Sequence, residues 1–403
     1  MKQFQIPEFY RSPIISKVKT MRKLDDPRKK DFSPTILDFG KVSFIISRHF
    51  GFCFGVENAI ERAYKAINEN PGKRIFLLSQ MIHNPDVNED LEANGIRFLQ
   101  DTSGKQNIDF ETLTKDDVVL IPAFGSTLAI EKILTLKGID IQKYNTTCPF
   151  VEKVWNRSEK LGESNHTIII HGKYNHEETR ATFSRSSIHG PSLILKDINE
   201  ARILARYING KKDCQTFYKD FEGRFSQNFD PKVHLDRIGV VNQTTMLASE
   251  TQEITDYLRS VMIDKFGELN IKNHMADTRD TLCYATNDNQ SATIGLMELE
   301  ADVGIVVGGY NSSNTTHLVE LMESKYPVYF IKGESEIISN KEIRHFDIHS
   351  KKLKSTHNFL PQKEKISIAI TSGASCPDSI MDRVIHRILE VQEIQITMND
   401  IFD

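Results

Sequence analysis

Short apolar runs rich in β-branched residues recur at residues 42–46, 75–78, 118–121, 167–170, 238–241, 303–307, 328–331 and 366–370. Each has the length of a strand buried on both faces and is too short for a helix. Between several of them apolar positions recur with helical spacing, over residues 56–67, 128–136, 151–161, 249–266 and 379–391. Strands alternating with helices predict βαβ units, and so an α/β fold with mostly parallel sheets. Ser249, with Gln252 three residues on, predicts a capping box at the start of the fourth helix. Two segments break the rhythm: 201–237 is polar and aperiodic, and 333–364 is rich in charge, with Lys351, Lys352 and Lys354 close together. Both read as surface excursions.

In open parallel sheets, ligands bind beyond the carboxyl ends of the strands. There the chain reads GFCFGV (51–56), QMIHN (80–84), AFGST (123–127), TTCPFV (146–151), HGKYNHEE (171–178), NQTT (242–245), LCYATN (282–287), NSSNTT (311–316) and TSGASCPD (371–378). Cys, His, hydroxyl and amide residues crowd these loops while Lys and Arg are nearly absent, which suggests one shared site. In three of the loops a cysteine ends a strand and opens a helix: Cys53, Cys148 and Cys283. Pro149 suits a first helical position. The recurrence suggests three comparable α/β modules, each offering one thiolate to a common centre. On this reading residues 1–41 are an N-terminal extension, and 42–148 form a first module whose first strand pairs with the third. Residues 149–282 form a second module with an insertion at 201–237, and 283–403 a third with an insertion at 333–364.

Composition narrows the function class. With 403 residues, 39 % apolar and 26 % charged, the chain is globular in type. It has neither a membrane-spanning apolar run nor a signal-peptide core, so it reads as cytoplasmic. The formal charge is −4, with a basic arm (Lys17, Lys19, Arg22, Lys23, Arg28, Lys29, Lys30) on an acidic body. The arm reads as a solvated extension, and the acidic body argues against nucleic-acid affinity. Five cysteines, odd in number and without a CxxC pair, fit a reducing compartment and exclude a disulfide scaffold or a zinc ribbon. Cys214 and Cys376 fall outside the pattern and read as incidental, and the lone Trp155 as a packing residue.

A thiol at a helix N-terminus is expected to have a lowered pKa, because free N–H groups and the helix dipole favour the thiolate. Three such thiolates suit soft iron or zinc, and a set of three leaves one metal position open. His83 and His176 stand at strand ends and not on apolar helical stripes. Glu177 and Glu178 beside His176 are both candidate proton donors, and the residues alone do not separate them. The NSSNTT and TSGAS loops offer hydroxyls and N–H groups of the kind that hold phosphate at helix N-termini. There is no GxxxxGK[ST] and no GxGxxG of the dinucleotide type.

Taken in order, GFCFGV, HN, TTCP, HEE, NQTT, CYAT, NSSN and SGAS resemble the 4-hydroxy-3-methylbut-2-enyl diphosphate reductase (LytB) family, from about Val42 to about Leu389. The resemblance implies three α/β modules in pseudo-threefold arrangement around one iron–sulfur cluster of 4Fe-4S type, ligated by Cys53, Cys148 and Cys283, with an open apical iron for the substrate hydroxyl. It implies that His83, His176, Ser312, Ser313, Asn314 and Ser375 bind diphosphate. Gln243 and Thr244 would flank the substrate hydroxyl, with Thr244 and Glu178 catalytic and Glu178 relaying protons. The implied reaction is a two-electron reductive dehydroxylation giving isopentenyl and dimethylallyl diphosphate, the last step of the methylerythritol phosphate route. Its partners would be the allylic diphosphate and a ferredoxin- or flavodoxin-type donor, with neither nucleic acid nor membrane. Phe124 stands where many bacterial members have His, a form that resembles the plant and cyanobacterial branch, and Ser126 or Thr127 is the candidate replacement donor. Two rival classes remain: a cluster-dependent hydro-lyase, which consumes no reductant, and a non-catalytic zinc protein.

Overall fold

The computed structural model describes residues 4–27, 30–278 and 281–395. The strands among them are β1 (Thr35–Asp38), β2 (Val42–Ile46), β3 (Ile75–Leu77), β4 (Ile96–Phe98), β5 (Val118–Leu120), β6 (Thr167–His171) and β7 (Ser192–Leu195), followed by β8 (Ile238–Asn242), β9 (Val303–Val307), β10 (Val328–Ile331), β11 (Glu342–Asp347), β12 (Lys352–His357) and β13 (Ile366–Ser372). Every apolar run picked out from the sequence is a strand. The fold is α/β with three mostly parallel sheets and a separate β11–β12 hairpin. The chain divides into two compact units: Met1–Glu61, Ile82–Glu89 and Tyr284–Asp403 form one, Arg62–Met81 and Asp90–Cys283 the other.

The first unit holds the five-stranded sheet, in the order β1-β2-β13-β9-β10. β13 is parallel to β2 and to β9, with Ile366 opposite Val42 and Ile368 opposite Val303, and only the edge strand β1 is antiparallel. Because β2 and β9 are buried at every residue, their all-apolar runs follow from coverage on both faces. On one face Phe44, Ile305 and Ile368 pack with Ile380, Val384 and Ile388 of the helix Asp378–Val391. The other face sets Ile45, Val306 and Ala369 against Leu318 and Met322 of the helix Ser313–Met322. The second unit carries two all-parallel sheets, β4-β3-β5 and β7-β6-β8.

Four expectations need correction. The basic arm is not a loose extension: Pro13–Asp25 is a helix, capped by Ser12 Oγ accepting from Ile15 N–H, with Ile14, Ile15 and Val18 buried in the core of the first unit while Lys17, Lys23 and Lys30 stay exposed and Arg28 and Lys29 lie outside the described residues. Its charges had masked that apolar face. Segment 201–237 is not a surface excursion either. It begins inside the helix Ile198–Ile208 and carries Phe217, Phe221 and Phe229 into a core of the second unit. Its aromatics follow no helical or strand period, so only tertiary contact reveals them. Segment 333–364 is a surface hairpin in part, since β12 is mostly exposed, but Ile343, Phe359 and Leu360 are core residues. Finally, the capping box is absent. The helix starts earlier, at Ala248, with Leu247 in the cap position and no side-chain cap bond, which leaves Ser249 inside the first turn.

Candidate active site

The second unit brings together two of the three cysteines and the carboxylates. Cys148 is the N-cap of Pro149–Glu163, and its N–H donates to Ala123 O at the end of the β5 segment (2.9 Å). Cys283 ends this unit directly before the helix Tyr284–Leu296, with its N–H on Thr244 O (3.3 Å). Thr244 in turn donates its N–H to Glu178 Oε1 (2.6 Å) and its hydroxyl to Glu178 Oε2 (2.9 Å). One residue after β8 thus ties a cysteine to a carboxylate on another element. Glu178 is 1 % exposed. Burial pushes its pKa up to about 7, against the smaller opposing pull of the two Thr244 bonds. Glu177 instead lines a separate cleft of about 270 Å³ with Arg180, Ser103 and Ser126. The structure therefore separates two residues that the sequence left equivalent.

The helix N-terminus does not lower the Cys148 thiol as expected. Burial pushes it up to about 12 against the downward pull of the Phe150 N–H, with the Cys283 and Glu178 charges adding smaller rises and the Val151 N–H a smaller pull down. Two thiols and a carboxyl crowded into one poorly solvated place oppose each other's ionisation. A bound cation reverses that balance, because it stabilises all three anions at once.

His176 is the N-cap of Glu177–His189, and its Nδ1 accepts the Glu178 N–H (3.2 Å). An accepting Nδ1 leaves the proton on Nε2, so this imidazole presents a donor. Phe124 stands edge-on to it, ring centroids 5.4 Å apart. Neither candidate replacement for the missing family imidazole is idle: Ser126 Oγ donates to Glu131 (2.6 Å), and Thr127 Oγ1 caps Leu128–Leu136. Gln243 is held through Oε1 by Lys173 N–H (3.1 Å) and the Thr179 hydroxyl (3.0 Å), and its Nε2 donates to Thr245 (2.7 Å). Lys173, Thr179 and Thr245 were not singled out from sequence, because nothing in their spacing marks them as supports for Gln243. Trp155 packs as read: its Nε1 donates to Thr182 (3.2 Å) and the Arg185 guanidinium lies over its ring (3.9 Å).

The first unit gathers the other candidates. Cys53, half-buried, directly precedes Phe54–Glu69, and its N–H rests on Ala374 O (3.3 Å). Ala374 N–H donates to Asn314 Oδ1 (2.9 Å), and Ser375 Oγ to His83 O (3.2 Å). Ser312 is the N-cap of Ser313–Met322, with Ser313 and Asn314 in its first turn, all three 4 % exposed. Asn289 also donates to Asn314 Oδ1, a partner that the sequence did not mark. The Asn314 Nδ2 atom is buried without a partner, a donor aimed at nothing the chain supplies, next to a helix N-terminus suited to phosphate. Close backbone approach explains the glycines here: a Cβ on Gly309 would strike His83 O, and one on Gly373 would strike Thr315. Among the described residues no three His, Cys, Asp or Glu side chains sit close enough to share a single metal ion.

Comparison with known proteins follows the same residues. The model of the family described as LytB protein matches residues 44–389. A 4-hydroxy-3-methylbut-2-enyl diphosphate reductase of Picosynechococcus sp. is 41 % identical over 350 residues, 87 % of this chain and 84 % of its own. One of Prochlorococcus marinus is 40 % identical over 384 residues, 93 % of this chain and 94 % of its own. A solved (E)-4-hydroxy-3-methyl-but-2-enyl diphosphate reductase, described as the terminal enzyme of the non-mevalonate pathway, superposes with a TM-score of 0.52 at 23 % identity, covering 86 % of this chain and 99 % of its own, which supports the fold.

Proposed function

The chain belongs to the LytB protein family, and from that premise we propose that it is the oxidoreductase that converts (E)-4-hydroxy-3-methylbut-2-enyl diphosphate to isopentenyl and dimethylallyl diphosphate. The balance is two electrons and two protons in, one water out, with the allylic C–O bond broken and one C–H bond formed. The observation that carries the reading is the linkage Cys283–Thr244–Glu178: a buried, proton-holding carboxyl fixed by both oxygens to the residue whose carbonyl anchors a cysteine.

The donor set fits an iron–sulfur group: no described cysteine is in a disulfide, and those of the three motifs are half-buried at helix starts. We assign Cys53, Cys148 and Cys283 as ligands of one 4Fe-4S cluster, and retain the division into modules at 42–148, 149–282 and 283–403, with Cys53 and Cys148 in the first and Cys283 opening the third. When bound, such a cluster supplies electrons one at a time and a Lewis-acidic open iron. The chain's own groups do the rest. Glu178, with a pKa near neutrality, delivers a proton to the departing hydroxyl. Thr244 orients that carboxyl. His176 Nε2–H, His83, Ser312, Ser313, Asn314 and Ser375 hold the diphosphate as hydrogen-bond donors, and Gln243 lines the hydroxyl end. Low-potential one-electron donors of ferredoxin or flavodoxin type fit the electron count, and sparse cysteines outside disulfides fit a reducing cytoplasm. Among the described residues no helix is long and apolar enough to cross a membrane.

The test is anaerobic turnover of the hydroxylated diphosphate with a low-potential reductant. Two reducing equivalents oxidised per product, with both five-carbon diphosphates formed, support the reductase. Turnover without oxidation of the reductant identifies a hydro-lyase, and a colourless zinc-bearing protein without turnover identifies a non-catalytic one.

A further inference from the structure

The family match begins at residue 44, yet the first unit contains a helix, Pro13–Asp25, that precedes it. That helix buries an arginine. Arg22 is 7 % exposed and spends its guanidinium on the backbone at the end of β2: Nη2 donates to Ile46 O (3.0 Å), and Nη1 to Ser47 O (2.8 Å) and Arg48 O (3.0 Å). Its Nε donates to Thr35 on β1 (2.6 Å). Arg48 answers by donating Nη2 to Arg22 O (2.9 Å) and Nε to Asp31 O (3.1 Å). Three consecutive carbonyls at a strand end need donors when buried, and one planar fork supplies them all.

The contacts continue along the loop to the cysteine. Lys19 Nζ donates to both oxygens of Asp378 (2.7 and 2.9 Å) directly over Gly51, whose φ of +78° and missing side chain leave room for that pair. Lys19 also lies 4.7 Å from the centre of the Phe50 ring. On either side of Cys53, Phe52 meets Tyr10 edge-on (5.6 Å) and Phe54 meets Phe4 edge-on (4.9 Å). Residues 4–22 thus touch the loop at positions 46–48, 50, 51, 52 and 54.

We propose that the N-terminal arm is a positioning element for Cys53, with Arg22 as the clamp that holds the 47–53 loop in its ligating shape before any cluster is bound. The proposal rests on the reading of Cys53 as a cluster ligand. An ordinary terminal strap would stabilise the whole unit without favouring this loop. A clamp restrains one segment and changes how often that segment opens.

The experiment measures iodoacetamide alkylation of each cysteine by mass spectrometry in the full-length, metal-free chain, for wild type, Arg22→Ala, Arg22→Lys and Lys19→Met. Lys19 is a third exposed, so its replacement remains informative if Arg22→Ala does not fold. Arg22→Ala should raise the rate at Cys53 by about tenfold while Cys148, Cys283 and Cys214 stay within about twofold, with Arg22→Lys and Lys19→Met falling between. In reconstituted holoprotein the same variants should release iron to a chelator faster, in the same order. Unchanged labelling at Cys53 in the folded variants overturns the proposal, and so does an equal rise at all cysteines, which marks general loosening. The iron content of Cys53→Ser judges the ligand assignment separately: full retention of iron sinks that assignment while the labelling result still decides the clamp.

Discussion

Glu177 and Glu178 are chemically identical neighbours, both buried, and hydrogen bonding gives them different surroundings. Both oxygens of Glu178 are used by Thr244, and the carboxyl is raised to about 7 by loss of water, whereas Glu177 borders an open cleft. The sign of the stability effect follows. A folded pKa above the unfolded value of 4.5 means that the folded chain binds the extra proton, so this contribution is complete below about pH 4.5 and is lost as pH rises toward 7. Glu178→Gln in the metal-free chain should flatten that part of the stability profile, measured as melting temperature against pH. In the loaded enzyme it should leave iron content and substrate binding in place and slow turnover by roughly 10²–10³-fold. An unchanged rate would remove Glu178 from the proton path. His176 shows the same dependence on surroundings: its tautomer is set by one backbone N–H from Glu178, a fact that no residue pattern contains.

Among elements, the parallel strands were the most legible, because a strand covered on both faces is apolar at nearly every position and so needs no partner to be recognised. β1, β4, β7, β11 and β12 were not picked out; β1 at the sheet edge is exposed on alternate residues, β4 is only three residues long, and β12 is mostly exposed. The helix Pro13–Asp25 was hidden by its charges, and the aromatic cluster of 217–229 by its irregular spacing. Phe217 is fully buried, stacked on Phe229 (5.1 Å) and tilted against Phe221 (5.0 Å). Phe217→Ala should therefore cost about 3–5 kcal/mol in denaturant unfolding. A surface excursion would lose no more than about 0.5 kcal/mol, and a loss that small would return the segment to the surface.

For the whole molecule, the cysteines carry the decisive contrast. Cys53→Ser should purify anaerobically with little iron, while Cys214→Ser, which changes a residue in a short turn of the second unit, should keep about four irons per chain and near-normal turnover. Equal iron contents in the two variants would contradict the ligand assignment. The family model matches residues 44–389, and the arm before that span packs into the core of the first unit.

The sequence by itself determined the α/β class, the positions of the buried parallel strands, and the three cysteine loops with their neutral polar companions. These are local: strand burial writes continuous apolar runs, and metal or phosphate chemistry demands particular residue types at strand ends. Only the tertiary structure decided which of two buried glutamates is held by Thr244, that the Cys148 thiol is raised and not lowered, that Ser126 and Thr127 are already engaged, and that a basic arm folds onto a cysteine loop. Each of these depends on desolvation and on partners far away along the chain, and neither quantity is a property of the residues taken in order.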